Sequence, residues 1–345
     1  LRIIATLCVF LGHCNFPWLG NGIQIGPNNG QDFVIVFFVL SGFVIAYVTD
    51  KKKDASLKRY LFDRFTRLYS VVIPALILTY ISDSIGQKVF SQDLYNGLIN
   101  ENYLSIRYLL NLSFFQESWT LSTRPGTNGP FWSLAYEFWF YMAFGIWFYI
   151  KNIKFRSIFL ILIMALTGYK IWILFPCWLL GVATYYMSKK QWLNQSIAFT
   201  TCLISMGILV AVLNQWASLP TWKIFPAGNA PLFYSSNFLH DYILAGILAI
   251  FIYSFTHLKF NKSVPTILSN FIKRYANSTF SLYLYHFPLL VLVASIIQYF
   301  EIRISHAYQL WLVALSVLLI IYPLSAATEK RLPDLRKLLM DKMRI

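Results

Sequence analysis

Arg2-Ile3-Ile4-Ala5-Thr6-Leu7-Cys8-Val9-Phe10-Leu11-Gly12-His13 opens this chain with ten uncharged residues between an arginine and a histidine, and the apolar character continues through Leu19. A helix of about 20 residues crosses the hydrocarbon core of a bilayer, so the run reads as a membrane span. At about 100° per residue, the eleven steps from Arg2 to His13 come to about 20° more than three turns. Both side chains therefore leave one face, roughly 16 Å apart along the axis. An ionisable group inside a span costs on the order of 3 kcal/mol at the helix centre and survives where protein or a water-filled cavity receives it. Arg2 and His13 are accordingly read first as functional groups.

The rest of the chain has the same character. Of its 345 residues, 57% are hydrophobic and 12% charged, a balance foreign to soluble globular domains that makes the bilayer the solvent. Apolar runs bounded by charge or by Pro/Gly/Asn loops fall at roughly 2–19, 32–49, 68–85, 131–150, 155–169, 171–188, 196–213, 239–256, 277–299 and 307–326. The net charge of +15 is explained by where the cations lie: with Arg2 cytoplasmic, 23 of the 29 Lys and Arg fall on that side. The positive-inside rule then predicts cytoplasmic N and C termini. The basic excess is topology, and no nucleic-acid partner is expected.

The fold expected is thus all-α, a polytopic membrane helix bundle of about ten transmembrane helices. Residues 1–328 form the transmembrane domain, and 329–345 a cytoplasmic amphipathic basic tail lying on the anionic inner leaflet or simply anchoring the topology. Because the chain opens on Leu1 rather than Met, residues are expected to precede it, and the first run reads as a span rather than a cleaved signal. Two outer segments exceed ordinary connectors, 86–130, with a short helix expected at 103–115, and 214–238, which holds Pro220, Pro226 and Pro231. Both are read as an outward lid or acceptor surface, the second equally well as a passive connector. Cys8, Cys14, Cys177 and Cys202 have no metal-like or paired spacing, so no metal is expected.

Polar groups within the runs carry the chemistry. In Phe131-Trp132-Ser133-Leu134-Ala135-Tyr136-Glu137, Ser133 and Glu137 lie one helical turn apart. Glu137 entering from outside is expected beside His13, where a carboxylate orients an imidazole and stabilises its protonated form; each alone also fits a simple helix brace. Arg64 and Arg67 share a face at the cytoplasmic end of the third run, where clustered guanidiniums suit phosphate groups or lipid headgroups. Asp32 stands at the outer mouth of the second run, as a helix-start acid or an acceptor contact, with Ser41-Gly42 lower down as a close-packing pair. Tyr283-Leu284-Tyr285-His286-Phe287-Pro288 adds His286 near mid-depth.

Taken together and in order, these segments resemble the acyltransferase 3 family of multi-pass membrane acyltransferases. The resemblance rests on Arg2 and His13, on Asp32 to Gly42 with Phe37-Phe38, on Arg64-Phe65-Thr66-Arg67, on Trp132 to Glu137 and on Tyr283 to Pro288. It implies a protein of the bacterial cytoplasmic (inner) membrane that transfers an acyl group, usually acetyl, from cytoplasmic acyl-CoA. The acceptor implied is a carbohydrate hydroxyl at the outer face, on a surface polysaccharide, lipopolysaccharide or lipid-linked sugar. His13 would be catalytic with Glu137; Arg2, Arg64 and Arg67 would contact the acetyl-CoA donor. Trp132, Ser133, Asp32, Tyr285 and His286 would line the acceptor side. Gly30-Gln31-Asp32-Phe33 matches the expected Gly-rich version only loosely, leaving the acceptor open. Buried ionisable groups also suit a transporter or flippase for a lipid-linked sugar or small anion, although no internal two-fold repeat is visible.

Overall fold

Each predicted apolar run is helical in the computed structural model, which describes residues 1–20, 22–52, 56–90, 92–215, 218–219, 232–259, 265–302 and 305–343. The principal helices are α1 (Arg2–His13), α2 (Gly30–Lys51), α3 (Leu57–Ile85), α4 (Leu104–Leu112), α5 (Trp132–Tyr149), α6 (Ile153–Thr167), α7 (Phe175–Ser188), α8 (Gln195–Leu213), α9 (Phe238–Thr256), α10 (Thr266–Ala276), α11 (Thr279–Tyr299), α12 (His306–Ala327) and α13 (Leu332–Met343). No strand occurs among the described residues. Seven helical segments there are long and apolar enough to cross a membrane, those containing α2, α3, α7, α8, α9, α11 and α12. The prolines of the outer loop at 220, 226 and 231 lie outside the described residues, as do Lys53, Lys223, Arg303 and Arg344.

The first run departs from a continuous span. Helix α1 has 12 residues, about 18 Å long, and stops at His13 for a local reason. Asn15 turns its carboxamide onto the returning loop, accepting from Ile25 N at 2.8 Å and donating to Gly26 O at 2.6 Å. Pro17 then removes a donor and disfavours helix at the residue before it. The loop seats against the helix end because Gly12 has no side chain: a Cβ there would stand 2.4 Å from Pro27 O. His13 is thus the last residue of a half-length helix, facing protein.

Helix α5 is apolar around its circumference and buried on most of it, the pattern of a central helix. Its start is fixed from outside. Asp83 of α3 accepts from Thr127 N at 2.8 Å and Thr127 Oγ1 at 2.7 Å, and Asn128 donates to Thr79 Oγ1 and to Leu284 O of α11. A single turn at Gly129–Phe131 follows, aiming Ser133 at α11. Helices α2 and α7 cross closely at two glycines: a Cβ on Gly42 would meet Trp178 O at 2.0 Å, and one on Gly181 would meet Val39 O at 1.9 Å. The close-packing role read for Ser41-Gly42 is therefore what the structure shows for Gly42. The short helix expected at 103–115 is α4.

Candidate active site

His286, fully buried in α11, donates from Nδ1 to Leu282 O one turn back, at 3.0 Å. In a neutral imidazole the other nitrogen must then accept. His286 Nε2 lies 2.8 Å from His13 Nδ1, so His13 donates there, and its own Nε2 keeps the free lone pair. The ring is held on its other sides by Phe16, stacked at 6.0 Å between centroids, and by Phe287, edge-on at 5.2 Å. Aromatic rings thus flank the His13 imidazole while leaving one basic nitrogen. The carboxylate expected beside His13 is replaced there by a second histidine.

Glu137 belongs to a different cluster. It accepts from Ser41 Oγ at 2.9 Å and closely from Tyr141 OH, and these two hydroxyls are themselves 2.9 Å apart. Arg2 is set among Glu137, Tyr141, Arg67 and Glu329. Ser133, one turn before Glu137, instead hydrogen-bonds Tyr283 OH at 2.8 Å, and the Tyr283 ring lies 6.3 Å from that of His286. The Trp132 to Glu137 motif therefore divides: its first turn reaches the histidines and its second reaches the arginines. The 16 Å of helix between His13 and Arg2 separates the same two centres.

At the arginine end Arg64 is buried, 9% exposed, with its guanidinium 5.8 and 5.9 Å from the ring centroids of Tyr60 and Tyr141. Its Nε has no hydrogen-bond partner among the described residues. A buried cation resting on aromatic faces, with no ion pair to a carboxylate among the described residues, is suited to receiving an anion. Arg67 pairs with Glu329 Oε1 at 3.8 Å, and Glu329 Oε2 accepts from both Ser281 N and Ser281 Oγ at 3.0 Å. One carboxylate thereby links the arginine cluster to the start of the helix that carries His286.

Three further expected site residues are placed as follows. Tyr285, about 100° around α11 from His286, is 1% exposed and bonds Thr328 Oγ1 at 3.0 Å, facing α12 rather than His13. Trp132 is buried, one face stacked on Tyr234 at 4.1 Å and its edges against Tyr136 and Phe38, so it walls the site without offering an open stacking surface. Asp32, in the first turn of α2, is bonded by Asn29 Nδ2 and lies 3.7 Å from His240 Nδ1; Asp241 is 3.5 Å from the same nitrogen. This trio from α2 and α9 brings its ligand-type atoms within 4.8 Å of one another. Sequence alone did not single out His240 as a site residue; the adjacent acid, Asp241, was the available signal. Glu329 was also missed; it stands out as an acid immediately before Lys330 and Arg331, where topology favours cations.

The family model for the acyltransferase domain matches residues 1–329. Peptidoglycan O-acetyltransferase OatA of Listeria monocytogenes is 30% identical over 149 residues, 41% of this chain and 22% of that protein. Acyltransferase MdmB of Streptomyces mycarofaciens is 31% identical over 156 residues, 43% of this chain and 38% of that protein. The matches thus span well under half of either relative. No solved structure matches significantly.

Proposed function

The chain belongs to the acyltransferase 3 family, and on that premise we propose that it is a membrane O-acyltransferase moving an acyl group, most simply acetyl, from acyl-CoA to a carbohydrate hydroxyl. The observation that carries this reading is the His13–His286 pair, in which the hydrogen bond to Leu282 O leaves His13 Nε2 as a base within the bundle. A sugar hydroxyl is too weakly acidic to attack a thioester unaided at neutral pH, so a positioned base is the minimum requirement.

Donor phosphates would rest on Arg64, Arg67 and Arg2, the cations of the cytoplasmic end. The pantetheine arm would run past Glu137, Tyr141 and Ser41 toward Ser133 and Tyr283, which bring the thioester to the histidines. His13 Nε2 takes the acceptor proton as the oxygen attacks the thioester carbonyl. The tetrahedral intermediate collapses with loss of the coenzyme A thiolate, and the proton passes from His13 to that sulfur. The products are the ester and free thiol, and both histidines return neutral. His286 is a neutral acceptor that orients His13 without compensating an imidazolium, which favours prompt return of the proton.

The acceptor would enter from the opposite mouth, past Asp32, His240 and Asp241. Peptidoglycan is the acceptor in the names of two relatives; a surface polysaccharide, lipopolysaccharide or lipid-linked sugar has the same hydroxyl chemistry. The setting is the bacterial cytoplasmic membrane with both termini inside, which the gathering of Arg2, Arg67 and Glu329 at one end of the bundle supports. The test is acetyl transfer from radiolabelled acetyl-CoA to glycan in membranes. His13→Ala is expected to lower transfer by about a hundredfold to ten-thousandfold at equal protein level. Unchanged transfer would refute the reading.

A further inference from the structure

The C-terminal helix makes its closest polar contacts at one turn of α3. Arg336 donates from Nη2 to the Asp63 carbonyl at 2.6 Å and from Nε to Thr66 Oγ1 at 2.9 Å. Those two acceptors lie on the turn that carries Arg64 and leads directly into Arg67. In an α-helix the Asp63 carbonyl is also the acceptor for the Arg67 backbone N–H, so Arg336 grips the backbone that orients the pair. Leu335 and Leu339 of α13 line an apolar groove with Phe62, Phe65 and Tyr69 of α3, and Arg59 Nη1 reaches Met340 Sδ at 3.0 Å. These contacts seat the helix in one register.

The charge balance at this joint points to an anion. Asp63, buried, faces Lys52 Nζ at 3.0 Å, Arg59 Nε at 3.6 Å and Arg336 Nε at 3.9 Å. Arg336 stands in the field of Arg59, Arg64 and Arg67 as well. Asp63 here and Glu329 beside Arg67 are two carboxylates against Lys52, Arg59, Arg64, Arg67 and Arg336, which leaves a positive excess, and like charges gathered at a partly buried site repel unless an anion joins them. An apolar helix would cover α3 without adding to that repulsion.

We infer that Arg336 is a positioning residue of the donor-phosphate site, and that α13 is a working part of that site. The inference rests on the donor-side reading of Arg64 and Arg67, and its test separates the two. Purified full-length protein is titrated with coenzyme A, and donor KM and kcat are measured in parallel.

Arg336→Gln is expected to raise the coenzyme A Kd about tenfold, the scale of one charge-assisted hydrogen bond, with KM raised and kcat at saturating donor kept. Arg336→Lys keeps the charge but cannot span both acceptors, so it should recover affinity only in part. Full recovery would show that charge alone matters and overturn the positioning role. Thr66→Val removes one acceptor while leaving every charge in place; it should also raise Kd, and it decides the matter if Arg336→Gln lowers the melting temperature. Arg64→Gln is the control. Unchanged binding in Arg64→Gln sinks the donor-site reading itself, whereas weakened binding there with unchanged binding in Arg336→Gln and Thr66→Val sinks only the inference.

Discussion

At the scale of single residues, the geometry turns on which nitrogen of each histidine carries the proton. His286 Nδ1 is committed to Leu282 O, and that commitment fixes the tautomer of His13 through the 2.8 Å contact. His286→Leu removes the acceptor and leaves the partly buried His13 N–H without its partner, a cost of about 1–3 kcal/mol. Acyl transfer is therefore expected to fall by roughly ten- to a hundredfold, and His286→Gln, whose carbonyl oxygen can accept, should restore part of it. Equal loss in both variants, measured as kcat in matched membranes, would contradict the orienting role.

Sequence alone isolated His13 and His286 because titratable groups are rare and costly in apolar runs. It did not pair them, because 273 residues separate them and only packing joins α1 to α11. It paired His13 with Glu137 instead, since both were placed in the outer half. The stop of α1 at His13 and the ring of Ser41, Glu137 and Tyr141 were beyond the reach of periodicity. Tyr285 shows the opposite limit. A motif of adjacent polar residues carries no facing information until the partner of each face is known, and on a helix one step turns the side chain by about 100°.

At the scale of elements, the α2–α7 crossing is set by two missing side chains. Gly42→Val would drive a Cβ into a backbone oxygen at 2.0 Å, and overpacking of this kind costs about 1–3 kcal/mol or more. The melting midpoint in detergent is expected to drop. Gly207→Ala is the contrasting case: a Cβ there meets nothing within 4 Å, and the change should be neutral or slightly stabilising. A second element, the loop before α5, is pinned by Glu117, which sits 3.1 Å from Lys170 Nζ and accepts from Ser122 Oγ at 2.8 Å.

Burial pushes the Glu117 carboxyl from 4.5 up to about 7, with Lys170 and Ser122 opposing the shift. Because the folded form then binds the proton more tightly than the unfolded form, stability falls as pH rises from about 4.5 through about 7. Hydrogen exchange of residues 113–124 should show this slope, and Glu117→Gln should abolish it; a slope unchanged in that variant would assign it to another group. The sequence marked this loop as long and worth attention. It gave no sign that Glu117 would meet Lys170, because a cation at the outer end of a span looks like an exception to the positive-inside pattern until its partner is seen.

At the scale of the whole molecule, ten apolar runs became helices because length and hydropathy alone specify a helix in lipid, where every backbone group must be satisfied internally. Seven of the resulting segments meet the length and hydropathy of a full crossing. The remainder are those where polar chemistry interrupts: α1, cut short at His13, and α5, with Ser133, Glu137 and its tyrosines, together with the 15-residue α6. Two of these, α1 and α5, supply Arg2, His13, Ser133 and Glu137, while the full-length α2, α3 and α11 supply Ser41, Arg64, Arg67 and His286. That arrangement joins an arginine end to a histidine centre along one polar path, and the central claim is that acyl groups travel along it from one side of the membrane to the other.

The most direct measurement supplies radiolabelled acetyl-CoA only to the outside of inverted cytoplasmic-membrane vesicles and follows label on glycan within their lumen. The account predicts lumenal ester that depends on His13, His286 and Arg64, with none formed when the donor is confined to the lumen. Label appearing only on the donor side, or transfer unaffected by His13→Ala, would contradict it.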